Sequence, residues 1–311
     1  MSDHRPPRLG ARRTIGVLVG AAAIALVLFI YWPSGKAASP EAARALHRAA
    51  DAARSGDGLA ATPPGAYTYS RNQVSESSVY VVGSGNENFS FISSSLIETW
   101  IAPDGSGRTV TEPIGVGFPT PEDESAWESA GSPDLGGAST SEDHGPGELG
   151  VDLSEVPTEP RTLLEAIARR EVIAGDDTDL ATFEIIGRIL HLSYASPEHR
   201  AALFDAAADF EGVGFEGEVT DPTGRPGVSV SFDGGGLRHE LVFDPRTGQL
   251  LAEKRTLLDP DEAGVDVPRD AQVGTIVPTA GPPETVVLWH IYLETALVDS
   301  IDERPGDDEP R

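Results

Sequence analysis

Nucleophilic catalysis needs a nucleophile, a base and an orienting group brought together, so the histidines are weighed first. Beyond the N-terminal region they are His47, His144, His191, His199, His239 and His290. His144 falls in an acidic stretch, His191 and His199 near the ends of expected helices, and His239 and His290 in expected strands. No serine occupies a Gly-x-Ser-x-Gly elbow. The chain has no cysteine, no His-Glu-x-x-His and no closely spaced histidine pair, which argues against zinc. Gly212-Val213-Gly214-Phe215-Glu216-Gly217 has the spacing of a dinucleotide loop. It follows an expected helix and enters a strand, the reverse of what phosphate binding needs. Asp259, Asp261, Gly264, Asp266 and Asp270 echo a calcium loop. Ala263 stands at a ligand position, Asp270 replaces the bidentate glutamate, and no flanking helices are evident, so a solvated acidic loop is expected. The acids of Glu122 to Glu124 would attract calcium only weakly, with no fixed geometry. The expectation is a protein without enzymatic chemistry and with no cofactor, catalytic residue or metal site.

What positions the rest is the N-terminus. Ile15 to Trp32 is an uncharged apolar run placed just after Arg5, Arg8, Arg12 and Arg13. Its eighteen residues span, as a helix, most of a hydrocarbon core of about 30 Å. Leu18, Leu26, Leu28, Phe29 and Ile30 supply apolar bulk, and Gly16 and Gly20 are tolerated in lipid. Tyr31 and Trp32 form an interfacial belt before Pro33 ends the helix. The arginines place residues 1–14 in the cytoplasm as a short basic tail, with Pro33 to Arg311 extracytoplasmic. The rival is a cleavable secretory signal, cut near Gly35-Lys36-Ala37. Signal h-regions are shorter, about 7–15 residues, and lead to small residues, whereas this run ends in Phe29-Ile30-Tyr31-Trp32. We expect an uncleaved single-pass anchor in the plasma membrane. Without cysteine the chain is no lipid-modified lipoprotein, and its exported part folds without disulfides.

The chain carries 50 acids against 23 bases, a formal net charge of −27. With the N-terminal arginines set aside the exported part is more acidic still. Nucleic acid and anionic lipid are therefore disfavoured as its partners, because phosphate contacts need a basic surface. Only Lys36 and Lys254 are lysines; with abundant Ala, Gly and Pro, this is the bias of a GC-rich bacterial genome.

Residues 33–65 read as a helical stalk and linker. Ser39 to Arg54 is an Ala-rich helix with Pro40 near its start, standing free or packing on the domain edge. Residues 66–298 read as the exported domain. Tyr67, Tyr69 and Val79 to Val82 are strand formers. Ser93 to Ala102 is a second strand, and Pro103-Asp104-Gly105-Ser106-Gly107 turns it into a return strand beginning Arg108 to Val110. Pro119 to Pro160 holds eleven acids and no Lys or Arg. One-signed charge with low hydrophobicity predicts a disordered or mobile acidic loop over 119–157, with Trp127 as a docking exception. Helices follow at Thr158 to Glu171, Thr178 to Leu192 and from Ser196-Pro197-Glu198 to Phe210. Strands follow at Gly214 to Thr220, Gly227 to Phe232, Leu237 to Phe243, Gln249 to Leu257 and Val286 to Leu297. Residues 299–311 read as a disordered tail. The order of elements predicts α+β with one antiparallel sheet.

Three stretches carry a family likeness. Glu98 to Arg108 fits E-x-W-x-x-P-D-G-S-G-R, Asp152 to Pro160 fits D-L-S-x-L-P-T-D-P, and Phe243 to Leu251 fits F-D-P-x-T-G-x-L-L. Together they resemble an uncharacterised family of actinobacterial single-pass membrane proteins with an exported domain, often associated with extracytoplasmic-function sigma factors. The likeness spans roughly Tyr67 to Leu257 and implies no catalytic residues. Residues 1–14 are too short to wrap a sigma factor directly, unlike the longer cytoplasmic segment of some relatives. Helices inserted between two strand groups also resemble the open curved sheet of bacterial lipoprotein-carrier and periplasmic sensor domains, by fold-level analogy. Its concave face could hold an apolar ligand or a partner peptide.

The signature positions are Trp100, Asp104, Gly105, Arg108, Asp244, Pro245 and Gly248, as ligand contacts or as turn formers; a tight reversal by itself calls for Asp-Gly. Trp100 reads as a core or concave-face aromatic. The expected function is a membrane-anchored, exported, non-enzymatic domain for envelope sensing or protein interaction. Its partners would be the membrane, through residues 15–32, and an exported protein. The alternative is a carrier or binder of an apolar ligand or lipid; an enzyme comes third.

Overall fold

A computed structural model describes residues 38–55, 62–82, 88–150, 153, 156–171, 178–191, 195–263, 273–278 and 282–306. The expected anchor at residues 15–32 and the cytoplasmic tail lie outside the described residues. Among those described, no helix is long and apolar enough to cross a membrane.

Helix α1 (Pro40–Arg54) leads into three long antiparallel strands, β1 (Tyr67–Tyr80), β2 (Phe89–Ile101) and β3 (Gly107–Gly117). A short helix α2 (Pro121–Ser129) and strand β4 (Thr140–His144) follow, then helices α3 (Pro160–Glu171), α4 (Thr178–His191) and α5 (Pro197–Ala208). A second meander comprises β5 (Gly214–Thr220), β6 (Pro226–Gly234), β7 (Leu237–Asp244) and β8 (Gln249–Leu257). A three-residue β9 (Ile276–Pro278) and the long β10 (Val286–Val298) close the chain. All strand pairs are antiparallel, and the sheet runs β4-β3-β2-β1-β10-β8-β7-β6-β5, with β9 added on β1. The sheet is curved and does not close. The expected α+β class with one antiparallel, open sheet and inserted helices is what the chain forms.

Among the described strands, β10 is the one that links the two meanders into a single sheet. It pairs with β1 from Tyr67↔Val298 to Glu76↔Leu288 and with β8 from Val286↔Thr256 to Ile291↔Ala252. β1 is unusually polar for a central strand. Thr68, Ser70, Asn72, Ser77 and Ser78 are buried in it; the first three lie between β2 and β10, and Ser78 between β2 and β9.

Helices α1, α3, α4 and α5 cover one face of the β5–β8 half. Their core joins Leu46, Leu163, Ile167, Phe183, Ile186, Leu203 and Phe204 to Val228, Val230, Leu241 and Phe243 from the sheet. Helix α1 is no stalk. Ser39 Oγ caps it by accepting from Ala42 N, and Pro40 opens it. Ala42, Ala45, Leu46, Ala49, Ala50 and Ala53 are fully buried. The alanine stripe lets α1 come close to the equally Ala-rich α5, and both His47 and Arg54 reach Asp205 of that helix. Ser39 N donates to Val213 O at 2.9 Å, which fixes where α1 begins.

Two further expectations are corrected. The stretch 119–157 is not featureless: it supplies α2 and β4. Thr120 accepts from Asp123 N at 3.1 Å and donates to the Asp123 carboxylate at 2.6 Å, with Pro121 at the first helical position. Apolar docking of Trp127 and Leu135 then offsets the ordering cost that composition alone left uncovered. Residues 299–306 of the expected tail also pack on the sheet, as described below.

Leu46→Ala should lower the unfolding free energy by about 2–5 kcal/mol, because it empties a fully enclosed site. Arg44→Ala on the exposed side should change it by less than about 0.5 kcal/mol. Urea titration of both variants separates a core helix from a stalk.

Candidate functional site

The seven signature positions form two separate structural devices. In the first, Asp104 Oδ1 accepts from Ser106 N at 3.0 Å and Ser106 Oγ at 2.6 Å, and these bonds hold its carboxyl below the usual range. Gly105 takes φ +78°, and an added Cβ would lie 2.5 Å from Gly150 O. The turn then receives the acidic segment, with Gly147 N donating to Asp104 O at 2.8 Å and Leu149 N to Gly105 O at 2.9 Å. Arg108 ties three parts of the chain together: it donates to Asp143 in β4 at 2.6 Å and to Asp302 near the C-terminus at 2.7 Å.

Trp100 is fully buried beneath that C-terminal segment. Its Nε1 donates to Glu303 O at 2.7 Å, and Tyr69 lies 5.3 Å away, ring to ring. Arg304 stacks over the indole and forks onto both oxygens of Glu98 at 2.7 Å. That fork holds the Glu98 carboxyl low against the opposing effect of burial, and Tyr69 OH donates to it as well. Burial, then the Glu98 carboxylate, pushes the Tyr69 hydroxyl up. Trp100 is thus a core aromatic under a latch.

The second device is the β7–β8 turn. Asp244 O accepts from Gly248 N at 2.8 Å, and the Asp244 carboxylate accepts from Arg246 N at 2.9 Å. Gly248 takes φ +66°, and a Cβ there would meet Ala49 O at 2.6 Å. With Pro245 inside it, this turn is the bed on which α1 lies. The sheet order puts β1 and β10 between the two devices.

The histidines divide in the same way. Ser196 Oγ contacts His199 Nδ1 at 2.9 Å, but the same hydroxyl caps α5 by accepting His199 N, and His199 Nε2 is occupied by Val156 O at 2.8 Å. This is a helix cap: both ring nitrogens of His199 are taken up by the capping hydroxyl and a main-chain carbonyl. No group of three His, Cys, Asp or Glu among the described residues could hold a metal. Of the calcium-like run, Asp259 caps a turn by accepting from Asp261 N at 3.0 Å; Gly264, Asp266 and Asp270 lie outside the described residues. Gly212 ends the stretch after α5 at φ +87°, and Gly214 opens β5.

A polar seam between α4 and the sheet was not legible in the sequence. Glu184, Arg188 and His191 recur at helical spacing on α4. Glu184 reaches His239 of β7 at 3.4 Å and Arg255 of β8 at 3.0 Å. The His191 ring stacks on Tyr292 of β10 at 4.0 Å, and His290 lies 4.5 Å from that tyrosine ring. Tyr292 OH donates to Glu253 Oε1 at 2.5 Å. Gly187 permits this approach, since a Cβ would come 2.8 Å from Leu241 Cδ2. Burial pushes Glu253 and Tyr292 up, and it pushes His191 well down and His290 down to about 4. The seam therefore holds neutral imidazoles and a proton-favouring carboxyl.

The other feature is an open groove at the β3 edge. β4 pairs with β3 only from Gly107↔His144 to Thr111↔Thr140. Among the described residues, no strand pairs the outer side of Glu112–Gly117. The chain before β4 diverges there, leaving a groove of about 520 Å3 between residues 113–116 and 132–136. Its walls include Pro113, Ile114, Val116, Phe118, Trp127, Pro133 and Leu135. Ile114 and Val116 are 51% and 39% exposed. The floor is rigid: Trp127, Phe118, Phe89 and Tyr80 form a chain of ring contacts, and Trp127 Nε1 donates to Pro133 O at 2.9 Å. Asp123 ties α2 to β2 by accepting from Ser90 N at 2.7 Å. The Thr120-Pro121 start signal was the available clue to this region.

No protein-family model matches the chain, and no curated protein matches it. Among solved structures, the complex of Pseudomonas aeruginosa MucA/MucB aligns over 86% of this chain at 14% identity, with a TM-score of 0.27. The crystal structure of MucB aligns over 87% at 16% identity, with a TM-score of 0.27. MucB in complex with MucA(peri) aligns over 82% at 14% identity, with a TM-score of 0.26. The chain spans 59%, 62% and 55% of those chains. Scores at this level carry no functional argument.

Two measurements check these assignments. Truncation after Val298 removes the latch and should red-shift tryptophan emission as Trp100 is exposed, with a loss of about 2–3 kcal/mol of apolar burial. His290 should make the fold acid-labile. Its folded pKa, about 4, is below the ordinary value of 6.5, so between those pH values the unfolded chain binds more protons. Stability from this group is full above about 6.5 and falls with acidification by at most about 1.4 kcal/mol per pH unit. The raised Glu253 works in the opposite sense, losing stability as pH rises above its ordinary range. The His290→Gln difference from the parent isolates the imidazole, and a pH-independent difference would refute its role.

Proposed function

We propose that this chain is a membrane-tethered, extracytoplasmic domain that acts by binding another protein and performs no chemistry of its own. The observation that carries the reading is the unpaired outer half of β3 beside an apolar, aromatic-floored groove. Exposed strand edges are normally shortened, bulged or covered, because unpaired N–H and C=O groups recruit other strands. Here the edge is blunted by Pro113 and a bulge at Ile114, so the surface left for a partner is the groove with its exposed Ile114 and Val116 side chains. The arginine-flanked run Ile15 to Trp32 supports a tether, and tethering would raise the effective concentration of a partner at the same surface.

The family resemblance supports a place in envelope signalling near extracytoplasmic-function sigma factors. A second reading is favoured by the groove's apolar walls: a volume of about 520 Å3 suits a small apolar ligand.

A photo-crosslinking amino acid at position 114, in the full chain in its own membrane, separates the two. We expect adducts with one protein, mapped by mass spectrometry, and none from the exposed position 286 on β10. A lipid adduct at 114 would favour the carrier. No adduct, or identical adducts from both positions, would overturn protein binding through this edge.

A further inference from the structure

We infer that the cleft around Trp100 and Glu98 is an arginine-recognition site occupied in cis by Arg304, and that an arginine-bearing segment of an exported partner protein takes the place of Arg304. This surface shares no lining residue with the groove beside Ile114. It lies on the sheet face turned away from the helices. Ile101 joins the helix-covered core, and its strand neighbour Trp100 points the other way.

Strand pairing builds the site. Tyr69, Trp100 and Arg108 form one row across β1, β2 and β3, and Arg71, Glu98 and Glu294 meet in the next. Residues two apart on a strand share a face, so both rows look the same way. Glu98 is 8% exposed. Its Oε1 accepts from Tyr69 OH and Arg304 Nε, and its Oε2 from Arg304 Nη2, each at 2.7 Å. The guanidinium carbon lies 5.4 Å from the centre of the Trp100 ring. A carboxylate that accepts both prongs beside an indole selects arginine over lysine. Trp100 Nε1 donates to a main-chain carbonyl, Glu303 O, which marks the ligand as a peptide.

The cis occupant is lightly held. Pairing of β10 with β1 stops at Val298, so detaching residues 299–306 breaks no strand ladder among the described residues. Ile301 packs beside Tyr69 and Trp100, Asp302 meets Arg108, and Arg304 meets Glu98. The Arg304 and Asp302 side chains are 47% and 58% exposed, and ion pairs this open contribute little. Asp302 also sits at φ +74°, a left-handed conformation unfavourable for a residue with a Cβ. Beside Arg304 and Pro305 the cleft continues as an open volume of about 390 Å3. With Arg304 gone, its lining presents Glu98, Glu112 and Glu294 against Arg71 alone. An intramolecular occupant at an effective concentration on the order of millimolar turns away weak arginine peptides. A partner segment prevails by filling the rest of the cleft, with an apolar side chain on Leu96 and a second cation toward Glu112 and Glu294.

The experiment uses the full chain in neutral-lipid nanodiscs with Arg304→Ala, which vacates the cation position. The probe is a fluorescent peptide, Ser-Ile-Asp-Glu-Arg-Pro-Gly, copied from residues 300–306. We expect saturable binding, at least about tenfold weaker when lysine or the neutral citrulline replaces the peptide's arginine. The unsubstituted chain should bind the peptide at least about tenfold more weakly than the variant, because its site is filled. Glu98→Gln added to Arg304→Ala should erase the preference for arginine. If the bared Glu98 carboxylate unfolds Arg304→Ala, Arg304→Lys serves instead, since it keeps the charge and loses the fork. Equal binding of arginine and citrulline peptides, or equal binding by substituted and unsubstituted chains, overturns the site. For the partner, a photo-crosslinker at position 96 of Arg304→Ala, in the chain's own membrane, should capture a segment containing arginine, and Glu98→Gln should abolish the capture. Capture of a second copy, or of nothing, overturns the partner. Adducts at 114 with none at 96 keep the groove reading and remove this one; the reverse removes the groove and keeps the arginine site.

Discussion

Strand β10 carries the connection on which the rest of the molecule depends. It comes last in the chain yet lies in the interior of the sheet, hydrogen-bonded to β1 on one side and β8 on the other. Neither meander can complete the sheet without it. β1 illustrates the constraint: its buried Ser70 and Asn72 contribute little apolar area, so the strand is held by its main-chain ladders to β2 and β10. Pairing Tyr67 with Val298 also closes nearly the whole chain into one loop, a non-local contact that puts this fold among those that form slowly. Residues 299–306 follow directly from β10 and seal Trp100, so the same C-terminal stretch joins the halves and closes the sheet's other face.

On the helix side the interface is only partly apolar. Phe183, Ile186 and Ile189 of α4 enter the core, while Glu184, Arg188 and His191 form the seam beside them. The ion pair of the seam is half-exposed and adds little stability of its own. It is exacting about position, since Glu184 must reach both His239 and Arg255 while Gly187 lies against Leu241.

An open sheet has edges, and this one treats its two halves differently. β4 covers the inner end of β3, fixed by Arg108 to Asp143 and by the Asp104-Gly105 turn receiving residues 147–149. The outer end carries no further strand among the described residues, and it is blunted by Pro113 and a bulge at Ile114.

Much of this fold was legible in local residue grammar, and the exceptions have physical reasons. Ser39-Pro40 and Ser196-Pro197 start helices as read, and Thr120-Pro121 obeys the same rule but lay inside a composition that argued for disorder. The strands β5 to β8 follow their Asp-Gly and Gly-Gly turns. The polar run Asn72 to Ser78 and the weakly apolar Thr140–His144 were missed, because their strand state comes from partners distant in sequence. The signature residues were found, but their work was not: Gly248 and Gly105 are required by α1 and residues 147–150 arriving from elsewhere. Sequence alone determined the acid excess, the absence of cysteine, the apolar run beside its arginines and the turn positions, since each is a property of neighbouring residues. Only tertiary structure decided that α1 is core, that the C-terminal segment latches Trp100, that α4 carries a titrating seam and that half of β3 stays open, because each depends on which distant backbone arrives to satisfy a face or an edge.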